Sequence, residues 1–211
     1  MLRNDIKEFI NTIPKDVTLV AATKYADIDD MKSLLEAGVT NFGENRTDAF
    51  TRKYNELFDL PITWHFIGHL QKNKAKDIIN KISYLHSLDS LELAKIIDKT
   101  RIEPLNCFIE VSINLEESKN GVPYYDVDKF YEEVIKYKNI KIVGLMMMAI
   151  KADNDDNLYN QFNKLKELRN NLELKYNTKI PYLSMGMSDD YKIALKCGAT
   201  HIRLGRILWK N

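Results

Sequence analysis

Eight short apolar runs, separated by stretches with helical periodicity, limit most strongly what this chain of 211 residues folds into. The runs cover residues 18–24, 41–43, 63–68, 84–87, 106–113, 141–149, 181–185 and 201–205, each ending near Gly, Asn, Asp or Ser. Several are continuous rather than alternating, as strands covered on both faces should be. Between them, Met31, Leu34 and Leu35 recur on one face behind Asp27, a suitable N-cap, and Gly38 stops that helix. Phe50, Tyr54, Leu57 and Phe58 form a second stripe. Asp126 stands where it can cap a third helix carrying Val127, Phe130, Val134 and Tyr137. Leu158, Phe162, Leu165, Leu168 and Leu172 mark the longest one.

Strand and helix alternating eight times predict an α/β fold of the (β/α)8 TIM-barrel type, near the lower size limit for that architecture. The last run is followed by too few residues for a covering helix. Ile6, Phe9, Ile10 and Ile13 have amphipathic helical spacing up to Pro14, so an N-terminal helix is expected to close that gap. No linker, low-complexity run or short repeat interrupts the series, which predicts one domain over residues 1–211.

Composition excludes several classes of function. Lys and Arg number 31 against 30 Asp and Glu, a net charge of +1, giving no electrostatic ground for nucleic acid or an anionic membrane. No segment approaches the ~20 apolar residues of a membrane span. The mixed-charge start, Met1 to Lys7, lacks an apolar signal core, and the two cysteines, Cys107 and Cys197, are too few for a disulfide framework. A cytoplasmic protein is expected.

Barrel active sites lie at the C-terminal ends of strands. That rule selects Lys24, Glu44-Asn45, Gly68-His69, Ser87 with Asp89, Met147-Met148, Gly186-Met187-Ser188, and Arg203 to Arg206. Lys24 follows Leu19-Val20-Ala21-Ala22-Thr23. At a dry rim a lysine loses hydration, which lowers its pKa and frees the amine to attack a carbonyl. The alternative is an ammonium that snorkels to solvent. Ser188 is placed to cap the helix after the seventh run, where free N–H groups favour an anion. Leu204-Gly205-Arg206 adds a flexible backbone and a cation, and the loops after strands 7 and 8 often hold phosphate in barrels. Equally, Ser188 only caps and Gly186 only turns. His65 and His69 sit on a strand and its turn, so their spacing gives no shared helical face for a metal. Met146-Met147-Met148 reads as barrel filling, and Lys72, Lys74, Lys76 and Lys81 as a solvated face able to steer an anion.

Trp64-His65-Phe66-Ile67-Gly68-His69-Leu70-Gln71-Lys72-Asn73-Lys74 resembles the signature of the pyridoxal phosphate homeostasis protein family. These are single-domain barrels related to the N-terminal domain of bacterial alanine racemase. The likeness continues through Val20-Ala21-Ala22-Thr23-Lys24, Phe42-Gly43-Glu44-Asn45 and Gly144-Leu145-Met146. It ends with Leu183-Ser184-Met185-Gly186-Met187-Ser188, Asp190 and Ile202-Arg203-Leu204-Gly205, in order over nearly the whole chain. The resemblance implies that Lys24 forms a Schiff base with pyridoxal 5′-phosphate (PLP). It further implies that Ser188 and the Gly205-Arg206 backbone bind the phosphate, with Ser184 and Gly186 lining the same side. Arg203 would face the pyridine nitrogen, and Asn45 would lie near the ring or its Lys24 linkage. One position departs: the family usually has a small hydroxyl residue after Gly205, and here Arg206 stands there.

An arginine at the pyridine nitrogen disfavours its protonation by like-charge repulsion and weakens the ring as an electron sink. The resemblance therefore implies a monomeric protein that buffers PLP and delivers it to apo-enzymes, with little or no catalysis. The runner-up is a fold-type III amino-acid racemase. It would need a second base, for which Tyr25, Tyr84 and His86 are candidates, because the β-rich domain that supplies a tyrosine in alanine racemases is not expected here. A cofactor-free Schiff-base or phosphosugar enzyme using Lys24 is the third reading.

Overall fold

In a computed structural model, which describes residues 2–113, 120–150 and 154–209, the chain forms a closed parallel barrel wrapped by helices. The barrel strands are β1 (Thr18–Ala22), β2 (Asn41–Glu44), β3 (Thr63–Phe66), β4 (Tyr84–Leu88), β5 (Leu105–Ser112), β7 (Ile140–Met146), β8 (Tyr182–Ser184) and β9 (His201–Leu204). Each pairs with its neighbour in parallel, and β1 closes the ring on β9 through Thr18 opposite His201. A two-residue strand, β6 (Val122–Pro123), adds to the end of β5. The sequence reading contains no such strand, because two residues leave no periodicity. Several expected strands extend past the observed C-terminal ends, β7 by three residues and β1 and β3 by two.

The helices are α1 (Ile6–Asn11), α2 (Ile28–Glu36), α3 (Thr47–Leu57), α4 (Ala75–Ile78), α5 (Leu91–Thr100), α6 (Val127–Val134), α7 (Asp155–Tyr176) and α8 (Tyr191–Lys196). Asp27 caps α2 as expected, accepting from Asp30 N at 2.7 Å. Asp126 stands at the N-cap of α6, but its side chain makes no capping bond. Phe58 falls beyond the end of α3 and is exposed, so the expected stripe stops at Leu57. The N-terminal segment is tied to the residues after β9, where Arg3 N donates to the Leu208 carbonyl and Leu2 bridges Trp209, and to α8, where Phe9 meets the Tyr191 ring edge-on. Those contacts place α1 beside the final strand, where the gap was expected.

Strand alternation divides the side chains. Outward residues such as Phe42, Trp64, Leu85, Ile109, Leu183 and Ile202 join the helices in the main apolar layer. The interior differs: Phe108, Val143 and Met146 form a separate small cluster with Tyr84 and Tyr182. Three histidine rings, His65, His86 and His201, pack among them. Gly144 makes room for this arrangement, since a Cβ there would lie 2.4 Å from the Tyr182 carbonyl and 2.6 Å from the Phe108 ring. The barrel is thus filled by aromatic and polar groups rather than by the branched aliphatics common in this fold.

Candidate functional site

A cavity of about 760 Å³ opens at the C-terminal end of the barrel, between the ends of β1, β7, β8 and β9. Lys24, Ser188, Arg203, Gly205 and Arg206 line it, five of the eight residues expected from sequence. Its apolar wall includes Ala22, Leu158, Met187 and Trp209. Asn45, Ser184 and Gly186 are not among its lining residues.

Lys24 lies two residues beyond β1, in a turn rather than at the strand end. Its side chain is exposed and rests over the Tyr25 ring at 4.8 Å, so the expected dry environment is not what surrounds it. The turn is fixed from below. Lys53, in α3, is buried and donates both to the Thr23 carbonyl and to Glu44 Oε1, each at 2.5 Å. Thr23 Oγ1 also donates to Glu44 Oε1, at 2.6 Å. The residue preceding Lys24 is therefore held by a buried ion pair that sequence reading missed. A lysine inside an amphipathic stripe was the available signal.

Ser188 does not cap α8, contrary to expectation. Asp190 is the N-cap residue, but its carboxylate accepts from Met187 N at 2.6 Å and makes no capping bond to α8. Ser188 Oγ instead accepts from the backbone N–H groups of Gly205 and Ile207, at 3.3 and 3.4 Å. The two loops thus converge on one oxygen, with N–H donors pointing to it. Gly186 makes the turn beneath, at φ +93° with its missing Cβ only 2.7 Å from Ala194 Cβ, a place few other residues could occupy. Its carbonyl accepts from Arg203 N at 2.9 Å. Arg206 is exposed and pairs with Asp189, so its guanidinium is directed along the rim.

Arg203 is the buried cation of the site. Its Nη1 donates to Ser184 Oγ at 2.6 Å and its Nη2 to the Met147 carbonyl at 2.9 Å. Burial pushes its pKa down to about 10, which still leaves it charged at neutral pH. Ser184 therefore stands behind Arg203, not on the cavity surface. Glu110, at the end of β5, is buried, and burial together with Asp89 pushes its carboxyl up to about 7, opposed by Arg203 and His69. Asn45 borders a neighbouring cavity with Arg46, His69 and Gln71, and its Oδ1 is buried without a hydrogen-bond partner. His65 and His69 part company: His65 lies inside the barrel, whereas His69 is exposed beside Asp89 at 3.1 Å.

The profile of the family described as alanine racemase, N-terminal domain, matches residues 2–211. A pyridoxal phosphate homeostasis protein of Aquifex aeolicus is 37% identical over 194 residues, covering 90% of this chain and 85% of that protein. Its counterpart in Synechocystis is 35% identical, covering 96% of this chain and 94% of that one. The chain belongs to the pyridoxal phosphate homeostasis protein family. PipY of Synechococcus elongatus, solved with PLP bound, superposes on this family member with a TM-score of 0.90 at 28% identity, covering 97% of this chain and all of that one. An alanine racemase of Clostridium difficile superposes at 0.79 over 58% of its own length, at 18% identity, a likeness of fold alone. Among the described residues no helix is long and apolar enough to cross a membrane.

Proposed function

We propose that this protein binds pyridoxal 5′-phosphate through the Lys24 amine and serves intracellular PLP homeostasis, holding the cofactor and releasing it to apo-enzymes. The observation that carries this reading is a single cavity lined by an accessible lysine, a buried arginine and Ser188, on whose hydroxyl oxygen the N–H groups of Gly205 and Ile207 converge. The names of the relatives, and PLP in PipY, support it. We read the working form as a cytoplasmic monomer of one barrel domain.

The residues present fit the cofactor. The N–H groups of Gly205 and Ile207 already converge on a hydroxyl oxygen through long bonds, and Ser188 adds an O–H. A phosphate oxygen offers the same acceptor chemistry. PLP supplies an aldehyde that condenses with a primary amine and a ring that withdraws electrons from it. The protein's own contribution is selective. Exposure of Lys24 keeps its amine open to solvent and to competing amines, which suits exchange. Arg203, charged and anchored on Ser184 and Met147, repels a proton at any nitrogen placed against it and so restrains electron-sink chemistry. Of the candidate second bases for racemisation, His86 and Tyr84 lie in the barrel interior, and only Tyr25 reaches the cavity.

Handover and turnover separate in one pair of assays. PLP-loaded protein, freed of unbound cofactor, is expected to restore activity to a PLP-dependent apo-enzyme. The same preparation is expected to leave the enantiomeric ratio of alanine unchanged over hours. Racemisation at an enzyme-like rate, or no reactivation of the apo-enzyme, would contradict the reading.

A further inference from the structure

One string of hydrogen bonds crosses the barrel from its N-terminal to its C-terminal face. It begins at Asn41, the first residue of β2, whose Oδ1 lies 3.0 Å from His65 Nε2. His65 Nδ1 lies 2.9 Å from His86 Nε2, and His86 Nδ1 lies 2.8 Å from Ser184 Oγ. Arg203 Nη1 then donates to the same Ser184 oxygen. The rings are held by stacking: His65 on Tyr84 at 4.7 Å and 8°, His86 on Phe108 at 4.3 Å and 22°. Both histidines and Ser184 are fully buried.

The two ends of this string determine every proton within it. Asn41 turns its amide nitrogen toward Thr40 Oγ1, leaving its carbonyl oxygen for His65. An amide oxygen only accepts, so His65 carries its proton on Nε2 and its Nδ1 is a bare acceptor. His86 must then donate from Nε2, which leaves Nδ1 bare, and the Ser184 hydroxyl donates to it. That direction turns a Ser184 lone pair toward Arg203, whose guanidinium has donors only. In the reverse direction, His86 and Arg203 would both donate into one oxygen whose own proton has no acceptor among the described residues. Burial supports neutral rings, holding His65 at about 3 and His86 well below the ordinary range.

We propose that Asn41, His65, His86 and Ser184 form a tautomer-defined relay that positions the Arg203 guanidinium. None of the first three lines the Lys24 cavity; they act through Ser184 on Arg203, the buried cation among the described residues that does. The role rests on the PLP reading above, but the relay itself can be measured without cofactor.

Two experiments test it. Long-range 15N–1H correlation spectra of the wild-type protein without PLP are expected to show both His65 and His86 neutral, with the proton on Nε2. A proton on Nδ1 of either ring would overturn the relay. His86→Phe keeps a ring stacked on Phe108 and removes both the acceptor of the Ser184 hydroxyl and the donor to His65 Nδ1. It is expected to weaken PLP binding five- to tenfold and to move the pH midpoint of the bound cofactor's visible band, with a cooperative unfolding transition retained. A folded His86→Phe protein with wild-type PLP affinity and band would overturn the positioning role. Wild-type protein that takes up no PLP would instead remove the cofactor reading, and the role with it, leaving the tautomers as measured.

Discussion

Lys53→Met is expected to lower the free energy of unfolding by about 3–5 kcal/mol, the usual result of removing one partner from a buried ion pair. Lys53 and Glu44 are respectively 1% and 0% exposed, so neither finds water when the other is lost. Glu44 Oε2 already lacks a hydrogen-bond partner, which leaves Oε1 as the oxygen on which Lys53 and Thr23 converge. The same ammonium ties the Thr23 carbonyl, so the variant also loosens the turn that presents Lys24. Replacing both members, Lys53→Met with Glu44→Leu, removes the unpaired charge and should recover most of the loss. Urea unfolding of the three proteins checks both statements. A single variant as stable as wild type would mean that the pair contributes nothing.

Acid is expected to destabilise the fold strongly before most carboxylates titrate. Burial lowers His65 to about 3 and His201 to about 4, and lowers His86 as well, against about 6.5 in an unfolded chain. As pH falls below 6.5 the unfolded state therefore takes up these protons first. Stability present above that value is lost progressively toward pH 4. Glu110 works the other way: raised to about 7, it holds a proton in the folded state that the unfolded chain releases above about 4.5. The balance is a net uptake of about two protons on unfolding, or about 2–3 kcal/mol per pH unit between pH 6 and 5. Urea midpoints at pH 7, 6 and 5 measure this directly. A midpoint that does not move would place the histidines in contact with water.

The barrel was legible because its outward residues obey strand and helix periods that sequence displays, and because Asp27 and Gly38 bound a helix with ordinary capping chemistry. Its interior was not legible. In β9, His201-Ile202-Arg203-Leu204 alternates polar with apolar, and that pattern ordinarily marks a strand with one wet face. Here the polar set points into a closed barrel, where His201 and Arg203 are almost fully buried. Only the closure of β9 on β1 reveals it, and closure is a long-range property. Ser188 misled for a local reason. Asp190, two residues on, takes the N-cap position with its carboxylate on Met187 N rather than on the helix, and the Ser188 hydroxyl receives Gly205 and Ile207 instead. The site loops are legible from their position at strand ends, whereas Ser184 is legible only through the resemblance and lies behind Arg203, accepting from its guanidinium.

The most direct test of the account begins with purified protein incubated with PLP, freed of excess, and reduced with borohydride. Digestion and mass spectrometry then locate the fixed cofactor. A pyridoxyl-phosphate mass on the peptide containing Lys24, absent from Lys24→Ala treated identically, is the predicted result. Labelling at another lysine, or none at all, would contradict the assignment of this cavity.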